Sequence, residues 1–137
     1  MNCGGAVKHA AAVTTKPLVL SHTSISIWPG PRSRTISADH ARAVAGTGGV
    51  IGVWPPAGIF HDLYALASGM ARMADGVGVD HVGLGSDMEG LVGASAFSRY
   101  TQLPESATAL LSRGFSEDEA RKLLGGNYAR VFRASLA

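Results

Sequence analysis

Three short apolar runs recur along this chain about thirty residues apart, and each stops abruptly. Leu18, Val19 and Leu20 run into Ser21-His22. Val50 to Trp54 is cut off by Pro55-Pro56, and His81 to Leu84 ends at Gly85-Ser86 before Asp87. An interval of about thirty residues is the length of a strand–helix–strand unit. The runs are continuous rather than alternating, which predicts strands buried on both faces, hence a parallel sheet covered by helices. The predicted strands span residues 16–21, 50–54 and 81–85. Such βα repeats fit either a TIM barrel or a doubly wound sheet.

Helix signals fill the intervals. Ser37 can cap a helix over 38–45 that stops at Gly46. Residues 62–74 place Leu63, Leu66, Ala67, Met70, Met73 and Ala74 on one face of a 3.6-residue period, with Gly76 and Gly78 as the stop. Pro104 suits a first helical turn ahead of a helix over 105–113 that closes at Gly114. Ser116 and Glu119 form a capping box for the next helix, which Gly125-Gly126 interrupts. A last helix over 127–134 is expected to bury Tyr128, Val131 and Phe132. The Gly/Ala-rich start is expected to lead directly into the first strand.

The chain of 137 residues is long enough for one domain with its own core, and 46% of it is hydrophobic against 16% charged. A net charge of +2 without a Lys/Arg stripe argues against nucleic acid as a partner. The single cysteine, Cys3, cannot form an internal disulfide. No apolar run approaches the roughly 18 residues of a membrane span. No leader pattern is visible, so the expected compartment is the cytoplasm. A full barrel needs eight βα units and about 250 residues; three units are legible here. An open three-stranded sheet would leave two unpaired edges, so the expected reading is the C-terminal part of a longer barrel.

Carboxylates and imidazoles at the C-terminal ends of parallel strands are where α/β proteins keep their chemistry. His22 and Asp87 hold such positions, and together they suggest a hydrolytic site. Arg34 lies in the loop after the first strand. From local sequence alone each has a plainer alternative: a loop-bonded histidine, a loop-closing aspartate, a solvated arginine, with Arg32 competing for the arginine's role. Trp54 ends a strand and is equally a pocket wall or a core residue. His81 begins its strand, at the end opposite the chemistry, and reads as structural; His40 and His61 show no partner pattern. Gly-x-Ser-x-Gly, His-Glu-x-x-His and Gly-x-Gly-x-x-Gly are all missing from the sequence.

Five pieces in order, PLVLSHTS (17–24), RTIS (34–37), GGVIGV (48–53), GVDHVGLGSDMEG (78–90) and LLSRGFSEDEARKLLGGNYARVF (110–132), resemble the C-terminal part of the membrane dipeptidase family, the renal-type zinc dipeptidases. The resemblance implies a partial TIM barrel of the amidohydrolase type, made of its sixth, seventh and eighth strands. It implies two zinc ions in the full site, bridged by a glutamate and a water, and a small dipeptide as substrate. His22 would be a ligand of one zinc, Asp87 a catalytic proton carrier and Arg34 the anchor for the substrate carboxylate. The family's His-x-Asp pair, bridging glutamate and a further histidine would lie upstream; none can be placed in residues 1–16, and His9 is not assigned. Glu89 stands where the family usually has Asp and is not counted as a site residue. Catalytic zinc normally has three protein ligands, so only weak zinc binding and no turnover are expected from these residues alone. The expected partners are a second copy or a separate N-terminal half-barrel. Two alternatives stand beside this reading: a non-catalytic remnant that needs such a complement, and a small open α/β domain binding an anion at its strand ends.

Overall fold

The computed structural model describes residues 3–27 and 33–137. The predicted break at Pro29, Gly30 and Pro31, and the competing Arg32, lie outside the described residues.

Three parallel strands form one sheet in the order β1 (Val19–Thr23), β2 (Val50–Val53), β3 (Val82–Leu84). Ile51 pairs with Val82 and Val53 with Leu84, so these residues share one face. Ile51, Val53 and Val82 are buried there in one cluster with Ala41 and Val44 of α2 (Ala38–Gly46) and Leu66, Met70 and Met73 of α3 (Leu63–Val77). That cluster continues into Ala109 and Leu110 of α4 (Leu103–Ser112) and Ala120 of α5 (Glu117–Arg121). This is the helix-covered parallel sheet that the apolar runs predict.

The opposite face is lined by the paired glycines Gly52 and Gly83. The ring of Tyr128, from α6 (Asn127–Leu136), fills the space a side chain there would take: a Cβ on Gly83 would run into the ring, and one on Gly52 into the Tyr128 hydroxyl and the Ser21 carbonyl. Glycine in a strand marks such close approach. The Tyr128 hydroxyl donates to the Ser21 carbonyl at 3.3 Å, and burial pushes its pKa up to about 12. At the other end of the sheet Arg130 donates to the carbonyls of Gly48 and Asp80, both at 2.7 Å, just ahead of β2 and β3. Asn127, buried, donates to the carbonyls of Val79 and Val82. The last helix is thereby tied to the sheet from its base to its inner face.

The helix caps follow the sequence signals. The Ser37 and Asp62 side chains accept from His40 N–H and Ala65 N–H, and the Ser116–Glu119 box is formed in both directions. Gly125 sits at φ 159 within a wide turn, residues 122–126, between α5 and α6.

Several expectations are corrected. Residues 3–13 form a helix, α1 (Cys3–Val13), packed against α2, rather than leading directly into the first strand. The first strand begins and ends two or three residues later than predicted, because Thr23 still pairs with Val53. Burial of β1 on both faces does not hold: Val19 is 49% exposed and Ser21 is exposed. This strand is an edge, with β2 on one side only among the described residues. The helix over 62–74 continues through Gly76 to Val77, with Gly78 at φ 90 ending it. Phe132 is 64% exposed, not buried: Val131 takes the inward position and Phe132 lies about 100° further round the helix.

Candidate active site at the strand ends

The site is built at the C-terminal edge of the sheet by three segments. β1 carries His22 as its next-to-last residue. Beyond it the chain comes back at residues 33–36, where Ile36 bridges Ile25 in parallel, with Ser26 N–H bonded to Ile36 O and Ile36 N–H to Ser24 O, both at 2.9 Å. The buried Thr23 hydroxyl donates to the Arg34 carbonyl at 2.6 Å. That return lays Arg34 beside His22. Trp54 follows β2, its N–H bonded to Thr23 O at 2.8 Å. Asp87 lies three residues past β3, at φ 48. This left-handed backbone is uncommon outside glycine, with Asp among the residues that tolerate it best. The Asp87 carbonyl accepts from Gly90 and Leu91, closing a tight turn.

The side chains converge. His22 Nε2 is 3.9 Å from Asp87 Oδ2, with both side chains largely shielded (33% and 17% exposed). Arg34 Nη1 reaches His22 Nε2 at 3.5 Å, and Ser21 Oγ pairs with His22 Nδ1 at 2.8 Å. His22 Nε2 thus faces both the Arg34 guanidinium and the Asp87 carboxylate. Trp54 donates its indole N–H to Asp87 Oδ2 at 3.2 Å, carries the Arg34 guanidinium 5.3 Å above its ring, and lies 6.2 Å from the His22 ring. A cleft of about 470 Å³ opens beside Asp87, lined by Glu89, Leu91, Ser95 and Phe97 among others.

All three residues singled out in the sequence, His22, Arg34 and Asp87, therefore stand in one cluster. Trp54 is ambiguous in the sequence, although its position one residue past a strand end is the same signal that marks His22 and Asp87. His81 lies at the sheet's other end, its Nδ1 2.9 Å from the Gly49 carbonyl. His40 pairs with its helix cap Ser37, and His61 with Asp62 at the surface. Also at that far end, the Lys122 ammonium bonded at 2.7 Å holds the Asp80 carboxyl below its usual range.

Over residues 3–136 the sequence matches the family described as membrane dipeptidase, peptidase family M19. The chain belongs to the membrane dipeptidase family. Among relatives, it is 30% identical to dipeptidase ataJ of Aspergillus terreus, covering 92% of this chain and 32% of that protein. It is 29% identical to dipeptidase verJ of Clonostachys rogersoniana, over 90% of this chain and 33% of that one. The fold matches the dipeptidase AC, a metallo peptidase of family M19, with a TM-score of 0.80 at 22% identity over 94% of this chain and 40% of that one. It also matches a metallo peptidase from Rhodobacter sphaeroides liganded with a phosphinate mimic of the dipeptide L-Ala-D-Ala, with a TM-score of 0.79 at 21% identity over 93% and 39%. The chain thus spans about a third of the length of the two fungal dipeptidases. Its α/β fold is that of three consecutive units of the family's barrel.

The family is one of metallo-dipeptidases, so the donor set matters. Among the described residues no group of three or more His, Cys, Asp or Glu side chains could hold a metal ion. His22 and Asp87 supply two donors, and Asp87 Oδ2 already accepts the indole hydrogen. Two donors do not fit a catalytic zinc, which takes three protein ligands. Among the described residues no helix is long and apolar enough to cross a membrane.

Proposed function

We propose that the strand-end cluster is one wall of a dipeptide-hydrolysing site. Arg34 grips the free α-carboxylate of the dipeptide. Asp87 takes a proton from the attacking water and passes it to the leaving amine. In a completed barrel His22 would supply one ligand to a zinc, with the remaining protein ligands coming from the complementing portion. The observation that supports this best is convergence: residues 22, 34 and 87 bring an imidazole, a guanidinium and a carboxylate to one point at the sheet's C-terminal edge. The Rhodobacter sphaeroides neighbour was solved with a dipeptide mimic, and Asp87 opens onto an adjoining cleft lined by Glu89, Leu91, Ser95 and Phe97.

Residues 1–137 act in this reading as a single C-terminal portion of a (β/α)8 barrel, completed by a second copy or by an N-terminal half-barrel. The open edge of β1, with Val19 exposed, is the surface such a partner would pair with. The same edge, with the two-donor set, favours a second reading: a non-catalytic unit that only associates. The purified chain incubated with zinc and L-Ala-L-Ala is expected to show no turnover, and metal analysis to find less than one tightly held zinc per chain. Addition of the N-terminal portion of a related dipeptidase is expected to restore hydrolysis. Zinc-dependent turnover by the chain alone would overturn the partial-site reading; failure of every complement would leave the associating unit as the better one.

A further inference from the structure

We propose that Trp54 is the positioning residue of this site: one indole holds the Asp87 carboxylate by its N–H edge and the Arg34 guanidinium by its face, and so keeps the two charges apart. The proposal rests on the reading of the cluster as a dipeptide site.

A guanidinium and a carboxylate this close to one histidine would ordinarily close on each other as a fork-to-carboxylate pair. Such a pair would neutralise both groups that a dipeptide needs. Here each charge meets a different part of the indole. The ring N–H, which can only donate, points at Asp87 Oδ2 at 3.2 Å. The electron-rich ring face carries Arg34, whose Cζ is 5.3 Å from the centroid. A cation held over a ring face gives that face no N–H hydrogen bond, so the guanidinium keeps N–H groups for a carboxylate.

The indole can serve as a reference because its backbone is fixed. Trp54 N–H bonds to Thr23 O at 2.8 Å and its carbonyl accepts the buried Ser24 hydroxyl at 3.4 Å, so both peptide groups are tied to the end of β1. The buried Pro55 follows immediately. On the carboxylate's other side, Gly90 leaves room where a Cβ would strike Asp87 Oδ1. Asp87 is thus bounded by a glycine at one oxygen and by the indole at the other. The oxygen that Trp54 orients is the one facing His22.

The test uses the full chain carrying Trp28→Phe, which makes Trp54 its sole indole. Two quantities are read: the indole N–H resonance in a nitrogen–proton spectrum, and the dissociation constant of L-Ala-L-Ala from Trp54 emission or, in variants lacking it, from calorimetry. Asp87→Asn is expected to move the indole resonance without ligand. Arg34→Ala is expected to abolish dipeptide binding. Trp54→Leu, which removes both face and N–H, is expected to weaken it about tenfold, and Trp54→Phe, which keeps a face, about threefold. Binding lost in Arg34→Ala but unchanged in Trp54→Leu and Trp54→Phe would overturn the role of Trp54 and leave the dipeptide reading standing. An indole resonance that ignores Asp87→Asn would overturn it as well, whether or not either Trp54 variant folds. No dipeptide binding by the parent chain, either alone or with the N-terminal portion of a related dipeptidase, with the indole still responding to Asp87→Asn, would overturn the dipeptide reading and the proposal with it.

Discussion

At the proposed dipeptide site, recognition would rest on single side chains. There Arg34 would act through its shape more than its charge. Lysine would keep the charge but lose the planar fork and the stacking face. Arg34→Lys is therefore expected to weaken L-Ala-L-Ala binding about tenfold, equivalent to about 1.4 kcal/mol, measured by calorimetry with folding checked by circular dichroism. Of the site residues, His22 and Asp87 were legible because an apolar run that stops on a polar, titratable side chain has no structural need of it. Arg34 was legible only through the resemblance, since the loop that returns it to His22 is fixed by contacts between segments, such as the Thr23 hydroxyl on the Arg34 carbonyl. Trp54 stayed ambiguous because an aromatic at a strand end satisfies a core as readily as a cleft; the hydrogen bond from its ring N–H to Asp87 spans 33 positions and leaves no local trace.

Among the elements, the pairing of glycines with one aromatic ring is the most constraining contact. Gly83→Ala would drive a methyl group into the Tyr128 ring. The expected loss is about 2 kcal/mol, from overpacking a site with no room to give, read as a shift in urea midpoint at constant slope. Tyr128→Ala combined with Gly83→Ala is expected to lose less than the sum of the two single changes, because they share one contact. The strands and capped helices were readable because run length, caps and period agreed at each of them. The misses share a cause. For α1 the sequence offers neither an acidic first turn nor a basic last one, and its Gly/Ala composition gives no apolar period to read. At β1 the polar pair Ser21-His22 looked like an end, yet the strand continues because Thr23 is buried and its hydroxyl is satisfied by Arg34. In α6 the choice between Val131 and Phe132 as the inward residue depends on where the helix is clamped, and that is set by Asn127 and Arg130 reaching the sheet's base.

For the whole molecule, the alkaline limit of stability should trace to Tyr128. Its folded pKa, about 12, lies above the ordinary 10.0. The neutral phenol is therefore favoured by the fold. Stability is at its full value below about pH 10 and falls as pH rises from there toward 12, where the unfolded chain ionises first. Tyr128→Phe is expected to flatten that part of the curve, measured as melting temperature against pH from 8 to 11.5. Asp80 acts at the other limit: its lowered pKa, due to Lys122, lends stability above the ordinary carboxylate value that is lost as pH falls through the folded one. The tyrosine also ties together parts of the chain that lie far apart. Its hydroxyl grasps the peptide immediately before His22, so a cut that released α6 would also free the backbone that carries the imidazole.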